Sequence, residues 1–251
     1  MDNRKIWQIA LEQSAVDMNC KPEDFLCGET RITLSRPHPA ARKYLHLPFE
    51  CEMVSYGPNV VASLREDVKE AVAAYLALGP ASHAFETPGL HALDRLLRPF
   101  KLETGFMGEY FLPDAQKVQA LPCGYETRIL HAPDFQDLYR PEWSNALCED
   151  RKHLDVLGVG AYDGETLVGL AACSADGEEM WQIGVDVLPQ YRRQGIASAL
   201  TSRLTVEILA REKVPFYSCA WCNVASARNA YKCGFRPAWV QLGTRQILDT
   251  K

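Results

Sequence analysis

The clearest pattern of apolar and polar positions lies in the second half of the chain. Three runs between residues 154 and 188 alternate apolar residues with small or polar ones, as half-buried strands do. Asp163-Gly164 and Asp176-Gly177 separate these runs, and Asp-Gly between alternating runs is a strong hairpin signal. The pattern therefore predicts an antiparallel meander of three strands.

Further elements precede and follow this meander. Before it, residues 125–130 predict a strand, and residues 132–150 predict helical structure interrupted at Pro141. After it, apolar residues recur every four positions and predict a helix that is buried along one stripe. These residues are Ile196, Leu200, Leu204 and Ile208.

The end of the chain predicts strand, helix and strand. Residues 214–221 form a short apolar run, and residues 223–235 read as a helix with Asn223 as N-cap and Gly234 just past its end. Residues 238–247 predict the last strand. We therefore expect an α/β (α+β) fold, with a mixed, mostly antiparallel central sheet flanked by helices.

The first half of the chain alternates shorter patterns with loops. Residues 1–19 predict an amphipathic helix, residues 51–64 two short strands, and residues 66–78 and 90–97 two more helices. A strand is expected at residues 106–112. This half predicts an N-terminal α/β domain without a motif that can be tied to chemistry.

We place the domain boundary at a connector, giving an N-terminal domain of residues 1–122 and a second domain of residues 123–251. The first domain has three open roles: an eroded copy of the second, a lid over an acceptor pocket, or a dimerisation piece. A homodimer is compatible with the sequence.

Composition narrows the function classes. The 251 residues include 27 basic and 32 acidic ones, for a net charge of −5, which argues against an extended nucleic-acid surface. No apolar run approaches the ~20 residues that span a bilayer, and no signal peptide is recognisable. We expect a cytoplasmic protein without a membrane partner, whose nine cysteines are reduced. The histidines show no metal-ligand spacing, so no metal is expected.

The ten residues 189–198, PQYRRQGIAS, link the meander to the helix that follows. The first turn of a helix has backbone N–H groups without intrahelical partners, and these bind phosphate well. Gly195 and Ala197 leave the backbone bare enough for close approach, and Arg192 and Arg193 offer charge-assisted hydrogen bonds. This is a candidate anion site; a surface turn with two arginines is the alternative that the ten residues alone leave open.

Two signatures together resemble the GNAT superfamily of CoA-dependent N-acyltransferases. Its pyrophosphate pattern requires Arg or Gln, then Gly three places later, then Gly or Ala two places after that; residues 192–197 fit it. Asn223, Ser226 and the pair Gly234-Phe235 match a second signature of the family. The resemblance covers roughly residues 124–250.

The resemblance implies acetyl-CoA as co-substrate. Backbone amides of residues 192–197 would hold its pyrophosphate, and main-chain groups of Val185 and Val187 would pair with the pantetheine arm as an added strand does. Asn223 would contact the arm near its thiol while also capping a helix. The implied cofactor-binding residues are Val185, Asp186, Val187, Arg192, Arg193, Gln194, Gly195, Ile196, Ala197, Asn223 and Ser226.

The implied reaction is direct attack of a primary amine on the thioester through a tetrahedral intermediate. The family's usual general acid is a Tyr at the position that Ala230 occupies here; Tyr231 lies one place later, about 100° around the helix. The catalytic candidates are Tyr231, Ser226 and Glu179, although carboxylates beside a hairpin turn are usually just solvated. Cys219 and Tyr217 could donate or relay a proton, yet strand residues are more often core.

The acceptor implied by the family is a small-molecule or peptide amine. Two alternatives remain. The absent tyrosine motivates a non-catalytic acyl-CoA-binding module that kept the fold. The pair Cys219 and Cys222, spaced as in thioredoxin-like motifs, motivates a thiol redox protein.

Overall fold

The structure is a computed structural model that describes residues 1–247. Contacts divide the chain into two compact units. The first comprises Met1–Ala10 and Phe111–Pro237, and the second Leu11–Tyr110 and the chain from Ala238 onward. The predicted boundary between residues 122 and 123 falls inside the first unit, so the two predicted folding domains stay a prediction.

Helices and strands alternate along the described chain. The α-helices are α1 (Asn3–Met18), α2 (Lys69–Leu76), α3 (Thr87–Leu97), α4 (Ile196–Ala210) and α5 (Val224–Lys232). The strands are β1 (Arg31–Leu34), β2 (Cys51–Ser55), β3 (Val61–Leu64), β4 (Leu102–Pro113), β5 (Glu126–His131), β6 (Asp155–Asp163), β7 (Thr166–Ser174), β8 (Met180–Val187), β9 (Val214–Ala220) and β10 (Phe235–Gln246).

In the first unit the strands lie in the order β9-β8-β7-β6-β5. β5, β6, β7 and β8 pair antiparallel, which is the predicted meander with one strand added, and β8 pairs parallel with β9. The apolar stripe of α4 packs on one face of this sheet, where Leu200 and Leu204 join Val159 and Ile183 in a buried core. The opposite face carries a second cluster around Phe135.

In the second unit the strands lie in the order β1-β3-β2-β10-β4. β1 and β3 are parallel, whereas β2 pairs antiparallel with both β3 and β10. Val72, Leu93 and Leu97 of α2 and α3 pack against the strand residues Ala62 and Leu64 in a separate core. The predicted fold class, a mixed and mostly antiparallel sheet flanked by helices, is confirmed.

One predicted element is wrong. Residues 132–150 contain short 3-10 turns, at Ala132–Phe135, Pro141–Trp143 and from Glu149 onward, instead of the expected helix. The apolar spacing is real, because Phe135, Trp143 and Leu147 are buried together. However, the N–H groups of Asn145 and Ala146 donate to a carboxylate 40 or more residues away rather than to helical carbonyls.

Candidate functional site

The strands β8 and β9 part in the middle of the first unit. Their parallel pairing runs from Met180 opposite Val214 to Ile183 opposite Tyr217. β8 continues to Val187, and there it pairs with β7 on its other side. Beyond Ile183, the edge of β8 that faces β9 therefore offers main-chain groups to another extended chain. We call this point the fork.

The two faces of β8 have different roles past the fork. Val185 and Val187 pack against the α4 core, while Gly184 and Asp186 face the segment 144–148. A Cβ on Gly184 would lie 1.8 Å from the backbone oxygen of Asn145. Only glycine permits the segment to approach this closely.

The carboxylate of Asp186 holds that segment in place. It accepts hydrogen bonds from the backbone N–H of Asn145 at 2.8 Å, from its side-chain amide at 2.7 Å and from the N–H of Ala146 at 2.9 Å. The side chain is thus committed to positioning the segment. Only the main chain of Asp186 remains for the cofactor role predicted for this residue.

The turn after β8 leads into the start of α4, the predicted anion site. Gly195 precedes α4 with φ of 85°, a left-handed conformation that favours glycine, and a Cβ there would meet open space. The N–H of Ala199 donates to the oxygen of Gly195 at 3.0 Å, the first bond of the helix. The N–H groups of residues 196–198 precede it and have no intrahelical partner, so they are suited to an anion.

The neighbouring side chains shape the turn. Arg192 donates from Nε to the carbonyl oxygen of Val187 at 3.0 Å, and Gln194 accepts from the hydroxyl of Tyr125 at 2.8 Å. Arg193 is exposed and adopts φ of 64°. The guanidinium of Arg192 is thus fixed beside the fork, whereas Gln194 is occupied elsewhere.

The start of α5 faces the fork from the β9 side. As predicted, Asn223 caps this helix, and its side chain accepts from the N–H of Ser226 at 3.1 Å. The hydroxyls of Tyr217 and Ser226 lie 2.8 Å apart. Burial raises the pKa of Tyr217, and hydrogen bonds with Ser226 and Asn229 partly offset this. The phenol therefore stays protonated at neutral pH.

Two adjoining clefts follow these elements. The fork cleft, about 750 Å³, extends from Asp155 and Ser174 past the fork to the turn. The basic cleft, about 460 Å³, surrounds the start of α4. Both are lined by Val187, Arg192, Ala197, Ala225 and Asn229. Together they form a path from the polar residues beyond the fork to the helix start.

The basic cleft contains charges that the sequence reasoning missed. Arg228 and Lys232 of α5 line it together with the predicted Arg192 and Arg193. They lie four residues apart, so they share one face of α5, the face that also presents Ala225. That spacing was the available signal, but only the fold shows that this face lies beside α4.

Two predicted catalytic residues lie away from the clefts. The side chain of Tyr231 is 52% exposed and packs edge-to-face on Phe111, with ring centroids 5.6 Å apart. Glu179 is exposed at the turn before β8, where its carbonyl accepts from Val214. Neither residue belongs to the lining of the fork cleft or the basic cleft, whereas the third candidate, Ser226, lines the fork cleft.

The structure also bears on the cysteine pair, on metal binding and on membrane spans. Cys219 is buried and Cys222 is exposed, and no disulfide joins them. Within residues 1–247, His, Cys, Asp and Glu side chains form no group of three or more that could hold a metal ion. None of the helices in that range combines the length and apolarity that a bilayer crossing requires.

Comparison with known proteins identifies a family. A family model described as GNAT acetyltransferase matches residues 104–238, more than half of the chain. No curated protein matches the chain significantly.

Among solved structures, a GCN5-related N-acetyltransferase-like protein from Streptococcus suis is 21% identical, over 62% of this chain and 69% of its own, with a TM-score of 0.46. A GNAT-family acetyltransferase from Colwellia psychrerythraea is 17% identical over 57% of both chains, with a TM-score of 0.44. A Salmonella typhimurium protein, described with its cofactor acetyl-CoA, is 16% identical over 51% of this chain and 96% of its own, with a TM-score of 0.36. The chain spans less than two thirds of the length of several structures it matches.

Proposed function

Because the chain belongs to the GNAT acetyltransferase family, we propose that it transfers the acetyl group of acetyl-CoA to a primary amine. The observation that carries the proposal is the fork between β8 and β9. It gives an extended ligand a strand edge to pair with, and the path ends at a helix start suited to a phosphate. Few other ligands combine an extended amide-containing arm with a pyrophosphate.

The residues fit acetyl-CoA in order along the path. The N–H groups at the start of α4, with Gly195 leaving space above them, would hold the pyrophosphate. Arg228 and Lys232 would add positive charge for the phosphates. From Val187 to Ile183 the strand rises about 13 Å, at about 3.3 Å per residue, along which the pantetheine arm would pair with main-chain groups.

The thioester would then lie at the fork. The acceptor nitrogen attacks the thioester carbon; a C–N bond forms, the C–S bond breaks, and the proton lost by the nitrogen balances the one gained by the thiolate. Main-chain N–H groups of β8 past Ile183 would stabilise the oxyanion of the tetrahedral intermediate.

We assign the proton donor to Tyr217. Tyr217 lines the fork cleft together with Ser226, its hydroxyl lies 2.8 Å from that of Ser226, and its raised pKa would keep it protonated until the thiolate forms. Ser226 orients the phenol, and Asn223 fixes the backbone of Ser226 through the cap. The location of Tyr231, half exposed against Phe111, gives that residue no such role.

Calorimetry with acetyl-CoA on a Gly195→Ala variant tests the proposal. An alanine at this φ costs about 1–2 kcal/mol of backbone strain, and its methyl group would occupy the space for the pyrophosphate. We expect the Kd to rise at least about tenfold, or about 1.4 kcal/mol.

The matched control is Gly164→Ala in the hairpin between β6 and β7. Gly164 also has a positive φ, of 60°, and open space around a Cβ. An alanine there therefore introduces the same backbone strain at a position outside the proposed pyrophosphate site. Equal acetyl-CoA affinity in both variants would contradict the proposal.

Measuring thiol release from acetyl-CoA with a panel of amines distinguishes an enzyme from the alternative, a non-catalytic acyl-CoA-binding module. Release of free thiol with any primary amine supports transfer. Tight acetyl-CoA binding without thiol release favours the module. The cytoplasmic location and the homodimer stay predictions.

A further inference from the structure

A row of polar side chains crosses the sheet at the far side of the fork cleft. Asp155 on β6 is the direct cross-strand partner of Ser174 on β7, and Ser174 that of Gln182 on β8. Gln182 donates from Nε2 to Oγ of Ser218 on β9 at 3.0 Å. Directly opposed side chains share a face of the sheet, and all four residues line the cleft.

Asp155 has one committed oxygen and one uncommitted oxygen. Oδ2 accepts from the N–H of Cys148 at 3.0 Å and from the hydroxyl of Tyr139 at 3.2 Å. Oδ1 has no hydrogen-bond partner among the described residues, although the residue is only 1% exposed. Oγ of Ser174 is likewise buried without a partner in residues 1–247. Buried polar atoms are normally satisfied, so this pair is suited to a ligand.

The charges nearby leave this corner negative. Arg151 also lines the cleft; its Nε lies 3.4 Å from Oδ1 of the buried Asp176, and its charge acts on Asp155 as well. Asp155 therefore shares the guanidinium of Arg151 with a second carboxylate, that of Asp176. Burial, helped by Asp176, raises the pKa of Asp155 to about 6, against the lowering effects of Cys148, Tyr139 and Arg151. At neutral pH the Asp155 carboxylate is ionised and favours a cation.

We propose that Asp155 and Ser174 bind a second, positively charged nitrogen of the acceptor while its primary amine reaches the fork. The acceptor class is therefore an alkyl diamine rather than a monoamine. The inference rests on the proposed function, because it assumes that the thioester lies at the fork. β6 and β8 are two strand spacings apart, about 10 Å. A short diamine with a hydrogen bond of about 2.9 Å at its far nitrogen fits that span.

Calorimetry on the protein saturated with CoA tests the proposal without depending on turnover. Putrescine and cadaverine are compared with n-butylamine and n-pentylamine, above the pKa of Asp155. We expect each diamine to bind at least about tenfold more tightly than its monoamine, a difference of about 1.4 kcal/mol. Asp155→Asn should bring the ratio close to one, and Ser174→Ala should reduce it by a smaller factor.

The variant and its control are closely matched. Asp155→Asn keeps an oxygen that can accept from Cys148 and Tyr139, so folding and acetyl-CoA affinity should persist. Asp137→Asn makes the same chemical change at an exposed site and should leave the ratio unchanged. In the wild type, diamine binding should weaken as pH falls through about 6, since protonation removes the charge of Asp155. The Asp155→Asn variant should lack this step.

The outcomes separate this inference from the proposed function. A wild type that binds monoamines as well as diamines, or binds neither, overturns the diamine site even if acetyl-CoA binds and thiol is released. An unchanged ratio in Asp155→Asn overturns it as well. Failure of the wild type to bind acetyl-CoA instead overturns the proposed function.

Discussion

Asp186 should act as a positioning residue whose loss releases the segment 144–148. Asp186→Ala removes three hydrogen bonds of 2.7–2.9 Å to Asn145 and Ala146. Hydrogen bonds to a charged group contribute about 1.5–3 kcal/mol each, but three that share one partly exposed carboxylate do not add in full. We expect a loss of about 3 kcal/mol. At about 3 °C per kcal/mol for a chain of this length, Tm should fall by about 9 °C.

Hydrogen exchange and calorimetry provide the readouts. The amides of Asn145 and Ala146 should lose protection, whereas those of α4 should not, because the α4 core lies on the opposite face of β8. Acetyl-CoA affinity should change by less than about threefold, since the arm would use only the main chain of Asp186. Asp137→Ala is the control at an exposed site. An unchanged Tm with full protection of Asn145 would refute the reasoning.

Two further predictions follow from the clefts. Tyr217→Phe should lower kcat by about tenfold to a hundredfold at unchanged acetyl-CoA affinity. It should also remove the fall in rate that occurs as pH rises through the raised pKa of Tyr217. Tyr162→Phe, on β6, is the control, and an equal loss of kcat in both variants would count against an acid role. Arg228→Gln and Lys232→Gln should each weaken acetyl-CoA binding by about threefold to tenfold and reduce its salt dependence. Arg203→Gln on α4 is their control, and calorimetry at two salt concentrations distinguishes a true contact from a distant charge.

The features that could be predicted from the sequence are local. Asp163-Gly164 forms the expected hairpin, with Asp163 paired to Thr166 across the turn and Gly164 at positive φ. Asn223 caps α5 through a residue three places away. Such signals need only neighbouring residues, so one sequence is enough to place this hairpin and this helix start.

The features that could not be predicted depend on distant partners. The segment 132–150 has helical spacing, but its conformation is fixed by Asp186 across the sheet. The polar row is equally hidden, because Asp155 and Ser174 become neighbours only through the register of β6 and β7. Arg228 and Lys232 line the basic cleft only because α5 lies beside the start of α4. In each case pairing between strands or helices, rather than local propensity, decides the outcome.

The alanine at position 230 is understandable from the packing of β9 against α5. Ala230 is fully buried in the same cluster as Tyr217, whose ring lies 6.4 Å from Phe111 and 6.1 Å from Phe235 between centroids. Because Ala230 has no exposed surface, a tyrosine at this position on α5 would have to displace neighbouring side chains of the cluster. In the proposed site the phenol, that of Tyr217, therefore belongs to the strand instead of the helix, and its hydroxyl lies 2.8 Å from that of Ser226 on α5. This exchange supports transfer over a non-catalytic module, because the site lacks the usual tyrosine but retains a buried phenol at the fork.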